Sequence, residues 1–298
     1  MLSASYKCKT SWSASGILKM SDVLELFKDS YGPLKFSIDG GAGWGDTATT
    51  LANYSDINAV IHAFEPFSKN HRFFDELDKR IRLHKCALSD HKRHELFIMP
   101  SRVTSNNQWS NRGLDGYSSL GYLSKRPMAL AYLSYLKQMV KAASVLKFND
   151  MPSIKMIECV SIDQQFAGQQ IDFVKLDLQG GEFDALRGAT VSMPFIRSFF
   201  VEFTGDFRVI DILNQFGFAC RATNFMTIGI SKGVLKEHNL VPISDELLSN
   251  GRQALISKCG SSQVLFRQVF ESLKSHGFVQ TDIFALRKDL IHEIESKL

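Results

Sequence analysis

The chain has 298 residues, of which 44% are hydrophobic and 22% charged, with a net charge of +4, the balance of a globular protein with one large domain or a core with additions. No stretch of 18 or more apolar residues occurs, and the first twenty residues carry no long apolar run behind their charges. Neither a membrane-spanning helix nor an export signal is therefore expected, and a cytoplasmic location is. The five cysteines, Cys8, Cys86, Cys159, Cys220 and Cys259, are scattered without a Cys-x-x-Cys pair, which argues for reduced thiols and against disulfides or a zinc site.

In chain order, residues 1–33 read as an N-terminal helical cap, and from Leu34 to about Phe203 strand-length apolar runs alternate with helix-length amphipathic segments. That alternation predicts an α/β fold on a parallel sheet. "LKFSID" and "AVIHAFEP" are the first two strands, with a short helix in "GDTATTLANYS" between them. A second helix is expected over "SKNHRFFDELDKR", with Ser68 as N-cap and Phe73, Phe74 and Leu77 at helical spacing. "RIRLHKCALSD" and "HELFIMP" read as two strands, and "IDFVKLDLQG" and "SFFVEFTG" as two more around a helix in "GEFDALRGAT". "DFRVIDILNQFGF" reads as a helix ended by Gly217, and "ACRATNF" as an edge strand that closes a core over residues 34–225. Beyond it, "SDELLSNGRQALISK", "SSQVLFRQVFESLKSHGF" and "TDIFALRKDLIHEIESKL" each begin with capping-type residues, so 226–298 is expected to be a helical extension.

The chemistry concentrates at "SIDGGAGWGDTA". A glycine-rich loop between a first strand and a helix lets a ligand approach the backbone and points the helix N-terminus at it. Asp39, Gly41, Gly43 and Gly45 make D-x-G-x-G-x-G, with Gly40 adjoining, and Glu65 ends the second strand 20 residues after Gly45. An acid at that second position accepts hydrogen bonds from ribose hydroxyls in nicotinamide and adenosylmethionine sites alike. Asp39 separates the two readings. A carboxylate at the first strand's tip repels a pyrophosphate and suits a cationic amino-acid cofactor, so S-adenosylmethionine is expected rather than NAD(P).

"SIDGGAGWGDTA", "HAFEP", "ALSD", "GYSSL", "VSIDQQF" and "IDFVKLDLQGGEFDALRGA" follow in order the blocks of FkbM-type S-adenosylmethionine-dependent methyltransferases, which the chain resembles from Leu34 to Phe203. The resemblance implies the Rossmann-like class I methyltransferase fold, a mostly parallel seven-stranded sheet, and methylation of a hydroxyl on a sugar, glycoconjugate or related natural product. It also implies adenine contact near Ser89 and an active-site place for Ser118 and Ser119. Gln179 departs from the family, many members of which have Glu there.

Alternation along "FVKLDLQGGE" puts Phe173, Lys175 and Asp177 on one side and Val174, Leu176 and Leu178 on the other. Asp177 then sits at a strand tip in the crevice where open α/β sheets bind ligands. Methyl transfer to a hydroxyl needs the acceptor aligned and its proton removed. Asp177 is the first candidate for that task, Glu182 the second and Glu202 the third, with Lys175 paired to one of these acids and Gln179 and Glu202 toward the acceptor. The same residues also suit a satisfied ion-pair network, and Glu182 a favourable charge in a helix's first turn.

Residues 101–157 read as an insertion holding eight Lys/Arg against two Asp, a local +6 that leaves −2 for the rest. That charge suits an anionic acceptor or approach to an anionic membrane surface; a lid or homodimer helix with a solvated lysine face explains it equally. It contains Trp109, Tyr117, Tyr122, Tyr132 and Tyr135, but the tyrosines after Pro127 fall on an apolar helix face, so no nucleic-acid partner is expected. His91 and His94 lie in a charged turn with no third ligand in view, so no metal is expected. Two rival functions stay open on sequence: an NAD(P)-dependent oxidoreductase and a catalytically silent adenosylmethionine-binding module.

Overall fold

The computed structural model describes residues 20–99, 153–223, 225–228, 230, 232–237, 240–242, 253–257 and 263–295. In chain order these form α1 (Met20–Tyr31), β1 (Leu34–Gly40), α2 (Asp46–Asn53), β2 (Ser55–Phe64), α3 (Ser68–His71), β3 (Ile81–His84), β4 (Ala87–Leu88), β5 (Arg93–Met99), β6 (Ser153–Val160) and α4 (Ile162–Phe166). There follow β7 (Ile171–Leu176), α5 (Glu182–Arg187), β8 (Ile196–Phe203), α6 (Arg208–Gln215), β9 (Phe218–Ala222), β10 (Phe225–Ile228), α7 (Lys232–Glu237), β11 (Leu240–Pro242), β12 (Gln253–Ser257), α8 (Gln263–His276), β13 (Phe278–Arg287) and α9 (Lys288–Glu295).

Ten strands share one sheet, ordered β11-β12-β10-β13-β8-β7-β1-β2-β3, with β9 also beside β13. Within it, β3-β2-β1-β7-β8-β13-β9 is the expected seven-stranded, mostly parallel Rossmann-like sheet, in which β13 alone runs antiparallel to its neighbours β8 and β9. One face packs Leu34, Ile61, Ala63, Phe173, Phe200, Phe284 and Leu286 against Val23, Leu24 and Phe27 of α1 and Leu51 of α2. The other packs Ile38, Val174, Leu176, Phe199 and Val201 against α4, α5, α6 and α8. Helices on both faces explain why the central strands read as continuous apolar runs. The Tyr31 hydroxyl donates to the Leu290 carbonyl of α9, tying the two ends of the described chain together.

Local devices fix the ends of these elements. Ser161 and Gln164 form a reciprocal capping box that starts α4. The pairing of β1 with β2 shifts register between Leu34 and Phe36. The buried Asp172 carboxylate accepts from the Lys35 and Phe36 N–H groups at 2.7 and 3.1 Å and meets Arg197 at 3.1 Å.

Several expectations are corrected. The segment read as a C-terminal helix at "TDIFALR" is strand β13, inserted into the core sheet, so the core does not end at 225. Ile283, Phe284, Ala285 and Leu286 are all buried, a run without strand alternation because both faces are covered. "QALIS" is likewise strand β12, whereas α8 is helical as expected. "RIRLHKCALSD" splits into β3 and β4, which lie in different sheets, β4 joining β6 and β5. The helix over "SKNHRFFDELDKR" shrinks to α3 and one 3-10 turn at Arg72–Phe74, without a side-chain cap. Phe74 and Leu77 are turned against Gly45 instead of forming a helical stripe. Residues 1–19 and most of the 101–157 insertion, with its Trp109, Ser118 and Ser119, lie outside the described residues.

A buried aromatic group fills the β1–β3 side. His62 stacks on Phe36 at 4.8 Å between centroids, and its Nδ1 lies 2.7 Å from His84 Nε2. Burial, then His84 and Arg82, push the His62 pKa down to about 4 from 6.5. As pH falls between those values the unfolded chain binds a proton that the folded one refuses, so stability present above 6.5 is lost, by about 3 kcal/mol when His62 is fully titrated. Urea unfolding at pH 7.5 and 5 measures this loss, and His62→Phe should flatten it.

Candidate active site

The glycine loop leaves β1 at Gly40 and enters α2 after Gly45. Gly41 (φ 75°) lies so close to β7's exit that a Cβ there would collide with the Asp177 carbonyl oxygen. The Asp177 N–H in turn donates to the Gly40 carbonyl at 3.0 Å. Gly43 (φ 55°) differs, because a Cβ there would meet nothing within 4 Å. Its open side beside the N-terminus of α2 is a space in which a ligand reaches bare backbone.

Glu65 closes the other wall of this loop. Its Oε2 accepts from the Gly43 N–H and its Oε1 from the Phe67 N–H, each at 2.8 Å. Each carboxylate oxygen has two lone pairs, so the two backbone donors leave the carboxylate with acceptor capacity for a ribose hydroxyl. Burial raises the Glu65 pKa to about 7, against the opposing pull of the Phe67 and Gly43 N–H groups. A buried, partly protonated acid becomes a better acceptor once further donors favour its charged form.

Asp39 and Lys175 are direct partners in the β1–β7 register, so their side chains share a face. Lys175 Nζ lies 3.3 Å from Asp39 Oδ1 and 3.6 Å from Asp177 Oδ2, and donates to the Gly41 carbonyl at 3.4 Å. The Asp39 side chain is fully buried and that of Lys175 nearly so, while Asp177 is 38% exposed. Burial pushes Asp39 up despite Lys175. Burial alone would lower Lys175, but Asp39 and Asp177 outweigh it and keep the ammonium charged. One cation thus holds two acids, and the pocket keeps a negative balance that suits a sulfonium and an ammonium.

The turn after β7 carries the remaining predicted residues. Gln179 adopts φ 53°, the only non-glycine with positive φ among the described residues, and its Nε2 donates to Asp177 Oδ1 at 2.7 Å and Glu202 Oε2 at 2.9 Å. One amide thereby spaces two carboxyls. Glu182 faces inward, its carboxylate accepting from the N–H groups of Leu178 at 2.8 Å and Gly180 at 3.0 and 3.1 Å. Burial raises Glu182, opposed by those backbone donors. Burial and then Asp177 lift Glu202 well above the usual carboxylate range.

Two further residues of this group were missed on sequence, Gln280 and Asp282. Gln280 Nε2 donates to Glu202 Oε1, and Asp282 is the register partner of Glu202. Burial, then Asp177, push Asp282 up to about 7. Both residues lie on β13, and reading that segment as a helix removed the one signal that would have placed them. Ser89 follows β4, with its N–H on the Val160 carbonyl at 2.8 Å and its hydroxyl on Asp90 at 3.4 Å, away from the Asp39–Asp177 group in its contacts. No set of three or more His, Cys, Asp or Glu among the described residues is arranged to hold a metal. No described helix is long and apolar enough to cross a membrane.

Residues 39–220 match the methyltransferase FkbM domain family, the range that holds every one of the predicted site residues. No curated protein matches the chain. Among solved structures, a methyltransferase FkbM from Methylobacillus flagellatus KT is similar at 13% identity and TM-score 0.36, over 64% of this chain and 40% of that one. The chain thus spans less than half the length of that protein. A precorrin-6y C5,15-methyltransferase from Geobacter metallireducens GS-15 is similar at 8% identity and TM-score 0.37, over 92% and 94% of the two chains. The family assignment rests on the sequence match, and the open glycine loop, the buried Asp39 and the Glu65 acceptors fit the cofactor it brings. The chain belongs to the FkbM methyltransferase domain family, and its cofactor is S-adenosylmethionine.

Proposed function

We propose that the protein transfers a methyl group from S-adenosylmethionine to a hydroxyl oxygen of a sugar, glycoconjugate or related natural product. The observation that carries this reading is the row of Asp39, Lys175 and Asp177 beside the glycine loop, in which Asp177 alone keeps a substantially exposed carboxylate. The cofactor supplies a methyl carbon on a cationic sulfur. The transfer forms a C–O bond, breaks a C–S bond and releases one proton from the acceptor hydroxyl.

Asp177 accepts that hydroxyl's hydrogen bond and then its proton, aimed by the Gln179 amide on Oδ1 and by the Lys175 ammonium near Oδ2. Lys175, held protonated by its acids, orients carboxylates and does not act as a base. Glu182 holds the β7–α5 turn through its backbone bonds. Asp39 and Glu65 hold the amino-acid and ribose ends of the cofactor, with Gly40, Gly41, Gly43 and Gly45 giving it access to the backbone.

The exposed carboxylate of the described site, Asp177, is acidic, so any selection for an anionic acceptor, and any approach to an anionic membrane surface, is assigned to the basic 101–157 segment. The experiment is a screen of neutral, carboxylated and phosphorylated sugars for S-adenosylhomocysteine formation, with Asp177→Asn as control. Turnover should fall at least about 100-fold in the variant while S-adenosylhomocysteine binds as before. Unchanged turnover would remove Asp177 from the mechanism, and cofactor binding without turnover on any acceptor would favour the silent module.

A further inference from the structure

The turn that follows β2 contains a side chain that neither the fold nor the proposed chemistry uses. Asn70 in α3 is 1% exposed, and its Nδ2 makes no hydrogen bond of ordinary length among the described residues. Leaving a buried amide donor unmade is costly, so its position needs a reason. The chain from Glu65 to His71 is wound back on itself: the Asn70 N–H donates to the Phe67 carbonyl at 3.0 Å, the Phe67 N–H donates to Glu65 Oε1, and the His71 ring meets the Glu65 carbonyl at 2.8 Å. This turn carries the Asn70 amide to the Glu65 carboxyl, close enough to favour its ionised form.

We propose that Asn70 is a positioning residue of the cofactor site, whose amide completes its hydrogen bond when Glu65 ionises and turns to receive the cofactor's ribose diol. The inference rests on the adenosylmethionine reading above. The two backbone donors already on Glu65 fix its Oε1 and Oε2 toward Phe67 and Gly43. A third donor from the same turn stabilises the charged carboxylate. The Asp39 carboxyl also acts on Glu65, and it opposes ionisation. The balance between Asn70 and Asp39 then sets the pH at which the diol acceptor becomes available.

The test is calorimetric titration with S-adenosylhomocysteine from pH 5.5 to 8.5 on the full chain, its Asn70→Ala variant and its near-isosteric Asn70→Asp variant. The wild type should bind with an affinity that declines below a midpoint near 7. Asn70→Ala should weaken binding about tenfold at neutral pH and move the midpoint upward by about one unit. Asn70→Asp, which sets a second carboxyl against Glu65, should move it further. Thermal unfolding of each unliganded variant checks folding. A midpoint unmoved in both variants overturns the proposal, whether affinity is unchanged or falls equally at every pH as a purely structural role requires. If the wild type binds no S-adenosylhomocysteine at any pH, the cofactor reading fails instead.

Discussion

Lys175→Met is expected to destabilise the protein by about 3–5 kcal/mol, because removing one member of a buried ion pair leaves the other charged and unpaired. Asp39 is fully buried, its one ion-pair partner among the described residues is Lys175 at 3.3 Å, and burial already strains its ionisation. Methionine fills nearly the same volume as the lysine stem, so little of the loss comes from packing. The double variant Asp39→Asn/Lys175→Met should recover much of the stability, since no buried charge then remains in that pair. Urea unfolding of the four proteins measures the coupling; additive losses would mean that the pair does not act as a unit.

Gln179→Glu is expected to cost about 3 kcal/mol at pH 8 and little at pH 5.5. The wild-type amide donates one hydrogen to Asp177 and one to Glu202. The introduced carboxyl would have no hydrogen to give when ionised and would stand in contact with two other acids. Like charges near 4 Å repel by about 4 kcal/mol at an effective dielectric of 20, so the three carboxyls would retain a proton between them that the unfolded chain releases. A native state that binds more protons loses stability as pH rises, which gives the sign. Proton uptake and urea unfolding at the two pH values test it. A loss of equal size at both would point to the φ 53° backbone and not to charge.

The central strands were legible because they are buried on both faces and show as short apolar runs after the right turn signals. The glycine loop, Asp39, Glu65 and Asp177 were legible for the same reason: each stands at a strand tip whose position the run announces. Partners across strands were less so. The pairing of Lys175 with Asp39 depends on the β1–β7 register, and nothing in either segment alone specifies it. The doubly covered β13 hid Gln280 and Asp282, since its Thr281 and Asp282 resemble a helix cap and its buried run lacks a period of two. Asn70 escaped notice because a lone asparagine in an expected helix carries no signal until its burial is known.

The measurement that tests the central claim most directly is calorimetric titration of wild type and Glu65→Ala with S-adenosylhomocysteine and with NADH at pH 8. Adenosylhomocysteine should bind the wild type, bind the variant at least about tenfold more weakly, and NADH should bind neither. Binding of NADH alone, or adenosylhomocysteine affinity indifferent to Glu65, would contradict the account of this site.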